Sequence, residues 1–258
     1  MGCNSMMIKD FVSDVKAAVT VSRTIAQKTG RVFGAGFAPR DCLLCLGPAG
    51  AAMLCSHCER LLLDDVSRCD GCGRPVPSPF RCGGCLRRPP VHDVLRTAFD
   101  YRFPLDRLIH RFKYGSDFVV GTWLAERLAW TVRTVGGVDV VMPVPTTASR
   151  LRVRGFHPAG WLARRVAAKA GLAFDDNLLL RVIDTPSQSG LGRARRLKVL
   201  RHAFRAGADA KGLRIALVDD VTTTGATLEA ATRALRRAGA CRVETWVVAR
   251  TPEPAPEA

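Results

Sequence analysis

From Val91 onward the sequence alternates short, β-branched apolar runs with stretches of helical period. This predicts an α/β chain built on a mostly parallel, doubly wound sheet. Two further observations frame the prediction. Eight of the ten cysteines fall between Cys42 and Cys85, so a small cysteine-rich module precedes the sheet. Two predicted strands run straight into turn-forming segments, "MPVP" at 142–145 and "DDVTTTG" at 219–225. In open α/β sheets, ligands gather at such carboxyl ends. The chain therefore divides into an N-terminal extension (1–40), a cysteine module (41–90) and an α/β domain (91–258).

The elements follow in order. In the extension, Ile8, Phe11, Val12, Val15 and Val19 mark one face of an amphipathic helix, to which no function attaches. "VLRTAFDYR" reads as a strand and "FPLDRLIHRFKYG" as a short basic helix ending at Gly115. Residues 118–134 read as a helix, and "VDVVMPVP" as a buried strand running into a loop. Residues 158–170 read as a helix stopped by Gly171, "NLLLRVI" as an extended segment, and residues 189–201 as a basic helix. A strand over 213–218, a helix over 226–238 and a strand over 242–249 complete the pattern.

The cysteines form four identical Cys-x-x-Cys pairs: Cys42/Cys45, Cys55/Cys58, Cys69/Cys72 and Cys82/Cys85. A disulfide framework has no reason to repeat this spacing. Tetrahedral Zn²⁺ has one, because two thiolates two residues apart grip one ion from a tight turn. Eight ligands make two structural Cys₄ zinc sites. Sequential pairing keeps each site within one short unit, and crossed pairing stays open. His57 lies inside a complete pair and reads as a bystander. Thiolates in this number imply a reducing compartment, hence the cytoplasm. Cys3 is left over, and Cys241, just before the last strand, is expected as a small core residue.

The segment "LVDDVTTTGAT" (217–227) is a strand, a loop and the start of a helix. The amino end of a helix offers free N–H groups and a positive dipole, which together hold an anion. The hydroxyls of Thr223, Thr224 and Thr227 add donors, Gly225 supplies the turn, and Ala226 opens the helix. Asp219 and Asp220 suit sugar hydroxyls, or a Mg²⁺ completed by other oxygens. An ordinary strand–turn–helix explains the fold signals but not two adjacent acids followed by these threonines. Over the 13 residues Ile215–Thr227 the segment resembles the phosphoribosyl pyrophosphate (PRPP) loop of type I phosphoribosyltransferases, with Thr222 where an aliphatic residue is usual.

The wider chain, from Cys42 to Arg250, resembles the ComF family of competence-associated, phosphoribosyltransferase-like proteins. The resemblance rests on the paired cysteines, "LIHRFKYG" (108–115), "PVP" (143–145) with "RGF" (154–156), "TPSQSGLGRARR" (185–196) with "AF" (203–204), and the PRPP loop, in that order. It implies a type I phosphoribosyltransferase fold behind a double zinc ribbon. It also implies a link to handling single-stranded DNA in natural transformation, or in using external DNA as a nutrient. Two departures stand out. His157-Pro158 replaces a common Asn-Gln, and Val199 replaces an Asn. Pro158 can open the next helix without losing a needed donor.

A net charge of +16 with a hydrophobic fraction of 47% fits a globular chain with polyanionic partners. No apolar run reaches the ~20 residues of a membrane span. Arg193, Arg195, Arg196, Lys198 and Arg201 crowd one predicted helix, where they repel one another unless an anion compensates. A phosphate backbone would do so, and Lys113 with Tyr114 adds a cation and a stacking ring. A solvated helix face and an ordinary helix end are the plain alternatives. Two functions compete. One is a binding protein for PRPP or a nucleotide 5′-phosphate that also holds single-stranded DNA. The other is a working phosphoribosyltransferase in which Arg150 or Arg154, with Mg²⁺, stabilises the departing pyrophosphate. A role as zinc-ribbon partner of a helicase or DNA-uptake channel is compatible with either.

Overall fold

The computed structural model describes residues 41–49, 52–63, 66–77, 81–134, 136–183 and 199–252. The extension and most of the predicted 189–201 helix lie outside the described residues.

Five strands form one parallel sheet: β1 (Val94–Asp100), β2 (Val140–Pro143), β3 (Ala173–Phe174), β6 (Arg214–Thr222) and β7 (Arg242–Arg250), in the order β1-β7-β6-β2-β3. Two short strands, β4 (Leu179–Arg181) and β5 (Phe204–Ala206), pair antiparallel beside it. The helices are α1 (Ser56–Leu62), α2 (Gly83–Arg87), α3 (Leu105–Gly115), α4 (Phe118–Val132), α5 (Ala148–Arg154), α6 (Pro158–Ala170) and α7 (Ala226–Arg237).

Alternation along the strands sends side chains into two cores, as a sheet covered on both faces requires. Val141, Ala216, Val218 and Trp246 pack with Leu108 and Phe112 of α3, Leu124 of α4 and Leu162 of α6. Met142, Ile215, Leu217 and Val247 pack with Leu228 and Leu235 of α7 and with Leu179 and Phe204 of the small sheet. The cysteine module has too little apolar sequence for a core of its own. Its Leu43, Leu54 and Leu62 join the α3–α4 core instead.

Most predicted elements stand where periodicity placed them. Pro158 occupies the first turn of α6, behind His157 as N-cap. Of four differences, three have a physical cause. The strand expected over 213–218 continues to Thr222, because β7 keeps pairing with it up to Thr222↔Arg250. The two aspartates are thus the end of a strand rather than part of a loop. Helix α5 follows "PVP", where a loop was expected. Thr147 caps it by accepting from the Arg150 amide at 3.3 Å, a start signal too short in sequence to stand out. The predicted 158–170 helix is followed by β3, only two residues long. Cys241 is exposed, not core, because it lies in the turn before β7 begins.

Candidate functional site

Strand order creates the site. After β2 the chain moves by α5 and α6 to β3 at the sheet edge, whereas after β6 it moves by α7 to β7 on the other side. The connections leave β2 and β6 in opposite directions and open a crevice between their carboxyl ends, the switch point at which doubly wound sheets bind ligands. Pro143 of β2 pairs with Val218 of β6, so Asp219 and Asp220 begin where the crevice opens.

Both carboxylates curl forward along the strand. Asp219 Oδ1 accepts from the Asp220 amide at 2.9 Å, and Asp220 Oδ1 accepts from the Val221 amide at 2.6 Å. The chain then turns through Thr223, which is exposed, and Thr224 into Gly225, whose φ of 74° lies in the left-handed region. Gly225 is the N-cap of α7, and its carbonyl receives the Glu229 amide at 2.9 Å. Gly225 has no side chain to cap with, and the Ala226 amide donates to Thr224 Oγ1 at 3.5 Å. The N-terminal dipole of a three-turn helix therefore faces a loop of hydroxyls beside two acids.

Burial, and then the neighbouring charge of Asp220, push the Asp219 carboxyl up to about 7. Lys113, in the last turn of α3, reaches across to Asp220 with its Nζ 2.9 Å from Oδ1, and both side chains are largely shielded from solvent. Burial alone would lower the Lys113 pKa, but Asp220 and Asp219 outweigh it and raise the value. Next to Lys113, Tyr114 is 60% exposed. Arg154, from the end of α5, lies 5.2 Å from its ring centroid and donates to its hydroxyl at 3.3 Å. The ring of His110 lies on Tyr114 at 4.7 Å. His157 Nε2 donates to the Val144 carbonyl at 3.0 Å, which ties the loop after β2 to the start of α6. Burial holds the His157 pKa below its usual range.

The predicted ligand-binding residues therefore converge in part. Asp219, Asp220 and the Thr223–Thr227 loop form one side of the crevice, and α5 carries Arg150 and Arg154 from the end of β2. Lys113, expected among the DNA contacts, pairs with Asp220. Sequence reasoning had no signal for that pair, because neither the helix pattern of α3 nor the PRPP loop refers to the other. Arg193, Arg195, Arg196 and Lys198 lie outside the described residues, and Arg201 is exposed in a turn.

The cysteines form two four-thiol clusters in sequential order, Cys42/Cys45/Cys55/Cys58 and Cys69/Cys72/Cys82/Cys85, with the sulfurs of each cluster within 4.8 Å of one another. That excludes crossed pairing. Cys45 and Cys55 Sγ are 3.8 Å apart, and Cys72 and Cys82 Sγ are 3.7 Å apart. A tetrahedron with Zn–S bonds of about 2.3 Å has edges of about 3.8 Å, so both clusters fit structural Zn²⁺. Backbone amides of Gly71 and Cys82 donate to Cys69 Sγ at 3.4 and 3.1 Å, as metal-bound thiolates require. His57 is exposed and belongs to neither cluster.

Comparison with known proteins agrees with this arrangement. A family model described as phosphoribosyl transferase domain matches residues 125–257. DNA utilization protein YhgH of Salmonella typhimurium is 34% identical over 222 residues, covering 83% of this chain and 98% of that protein. Competence protein F of Haemophilus influenzae is 31% identical over 221 residues, covering 81% of this chain and 96% of that protein. Competence protein ComFC of Bacillus subtilis is 28% identical over 192 residues, covering 71% and 78%. With two four-cysteine clusters ahead of a parallel sheet and its acid–threonine loop, and with relatives matched over most of both chains, this protein belongs to the ComF family of phosphoribosyltransferase-domain proteins.

Proposed function

We propose that the crevice between β2 and β6 binds PRPP or a nucleotide 5′-phosphate, and that the protein handles single-stranded DNA in the cytoplasm during transformation or DNA utilisation. One observation carries the reading: the Thr223–Thr227 loop opens α7 at the switch point, with two carboxylates immediately before it. The threonine loop holds the 5′-phosphate. Asp219 and Asp220 take the ribose hydroxyls. The carboxylates are hard oxygen donors suited to Mg²⁺, and an ion arriving with diphosphate oxygens would be completed there by Asp219 or Asp220. Mg²⁺ so bound supplies positive charge against the diphosphate. Arg150 and Arg154 approach from α5 as further cations. Tyr114 offers an exposed ring for a base, and the basic 193–201 segment tracks the DNA backbone.

Calorimetry with PRPP and with ribose 5-phosphate, each with and without Mg²⁺, tests the site. A Cβ at Gly225 would meet nothing within 4 Å, so Gly225→Val acts through the left-handed backbone it must adopt and by crowding the phosphate. It abolishes binding of both ligands, with or without metal. Asp220→Asn weakens PRPP mainly when Mg²⁺ is present. Ribose 5-phosphate binding to Gly225→Val at wild-type strength would refute the cradle. For DNA, reversing Arg195 and Arg196 to Glu lowers both the affinity and the salt slope; an unchanged slope places the strand elsewhere.

Catalytic transfer from PRPP to a base or amine is the alternative. It is favoured by the two arginines that α5 carries from the end of β2, and it is separated from simple binding by pyrophosphate release over a panel of acceptors.

A further inference from the structure

The Lys113–Asp220 pair is more costly than anchoring requires. Helix α3 already buries Leu108, Ile109 and Phe112 to within 1% of full burial against the sheet. Docking therefore does not need a buried ion pair, and two charges taken out of water often contribute less than apolar residues would. The chain nevertheless carries the ammonium to 2.9 Å from Asp220 Oδ1, with the two side chains only 17% and 12% exposed. Helix geometry fixes it there. Lys113 lies in the last turn, where the helix dipole favours a cation. The turn is closed by Ser116 in the left-handed region (φ 51°), whose amide bonds back to the Arg111 carbonyl.

Two adjacent carboxylates at the mouth of a crevice would otherwise form a hard-oxygen site open to any divalent cation. We propose that Lys113 is a built-in counter-ion that closes the Asp219–Asp220 pair to free divalent cations, so that the site accepts such an ion only when it arrives bound to a diphosphate. The ammonium supplies the charge a free ion would bring, and it leaves the pair anionic enough to welcome an ion that carries its own oxygen ligands. Lys113 is thus a specificity-determining residue for the metal–diphosphate ligand class. The proposal deepens the reading of the crevice as a PRPP site and rests on it for the identity of the ligand. Closure against free metal is a property of the three side chains alone.

Mn²⁺ titration without any phosphate ligand, followed by electron paramagnetic resonance, tests it on the full chain carrying its zinc. Mn²⁺ prefers oxygen donors and does not compete for thiolate sites. Wild-type protein and Lys113→Arg take up no Mn²⁺ at the crevice. Lys113→Gln and Lys113→Met each gain a site, tighter than any wild-type binding by at least about tenfold, the scale of removing one nearby positive charge. Adding Asp220→Asn to Lys113→Met removes the gained site. Thermal unfolding and zinc content show that each variant is folded. Wild-type uptake of Mn²⁺ matching that of Lys113→Met overturns the proposal. So does a folded Lys113→Gln that loses stability without gaining Mn²⁺, which is the signature of a purely structural strut. A gained Mn²⁺ site together with absent PRPP binding would leave the closure standing and refute the PRPP reading instead.

Discussion

The two halves of the cysteine module are the same device installed twice. Shifted by 27 residues, Cys42, Cys45, Cys55 and Cys58 become Cys69, Cys72, Cys82 and Cys85. The hydrogen bonds shift with them. Cys42 N donates to the Gly47 carbonyl at 2.7 Å and Cys69 N to the Arg74 carbonyl at 2.8 Å, while the amides of Leu46 and Gly73 return to the carbonyls of Cys42 and Cys69. The bridges Asp41↔Pro48 and Arg68↔Pro75 correspond, as do the left-handed Leu46 (φ 62°) and Gly73 (φ 70°). Their attachments differ. The first unit gives Cys42, Leu43, Leu54, Cys58 and Leu62 to the α3–α4 core. The second gives nothing to either core among the described residues. It is fastened by polar contacts to β1 and its approach: Arg68 to Asp100 at 2.9 Å, Arg96 to Asp70 at 2.6 Å, the Leu95 amide to the Asp70 carbonyl at 2.7 Å, and His92 Nε2 to the Gly71 carbonyl at 2.8 Å. Identical local chemistry thus specifies the knuckle and leaves its docking undetermined.

Removing one thiolate from each unit is the strongest way to break this comparison. Cys58→Ser and Cys85→Ser should each lose about one of two zinc ions by elemental analysis, because a Cys₄ site short of one ligand binds far more weakly. The first should also lower the unfolding temperature of the whole α/β domain, whereas the second should release its unit with less effect on the sheet. Equal losses of global stability would mean that the two attachments are equivalent.

The attachments can then be tested with the metal sites intact. Leu62, which is 7% exposed, is a core residue, and Leu62→Ala should cost about 2–4 kcal/mol in denaturant unfolding. Asp70→Asn breaks an ion pair whose side chains are 36% and 35% exposed, and it should cost under about 1 kcal/mol. A reversal of that order would show that polar fastening dominates.

The corresponding left-handed positions should respond in opposite directions. A Cβ at Gly73 would stand 2.7 Å from Leu95 Cδ2 and 2.8 Å from Thr97 Cγ2, so Gly73→Ala adds a clash to an unfavourable backbone and should cost about 1–3 kcal/mol. Leu46 holds the same conformation at 72% exposure, so Leu46→Gly relieves strain without losing a packed side chain. It should gain about 0.5–1 kcal/mol, less than the strain itself because glycine also frees the unfolded chain. A loss at Leu46→Gly would show that the exposed leucine has a partner of its own.

Much of this molecule is legible in its sequence wherever the deciding distances are short. Ligands two residues apart share a metal because a tight turn brings them together, so the clusters follow from spacing. Thr223–Thr227 could be placed at the amino end of a helix because the apolar period of α7 starts immediately after it. The start and stop of α6 followed from Pro158 and Gly171. Helix α5 was missed because a seven-residue helix spans too few turns to show a period. The strand end at Thr222 was missed because its last pairs are made with β7, not with its own sequence.

By itself, then, the sequence determined the alternating elements, the metal-binding units and the acid–threonine loop. Each of these is set by backbone geometry over a few residues. Tertiary structure alone decided that β2 and β6 are neighbours with diverging connections. It also decided that each knuckle docks differently, that Arg154 meets Tyr114, and that Lys113 sits on Asp220. Those choices join groups far apart in the chain, and their energies come from burial and charge pairing that exist only after the sheet order is set. The composition of +16 announces many cations, but which of them faces a carboxylate is a property of the folded crevice.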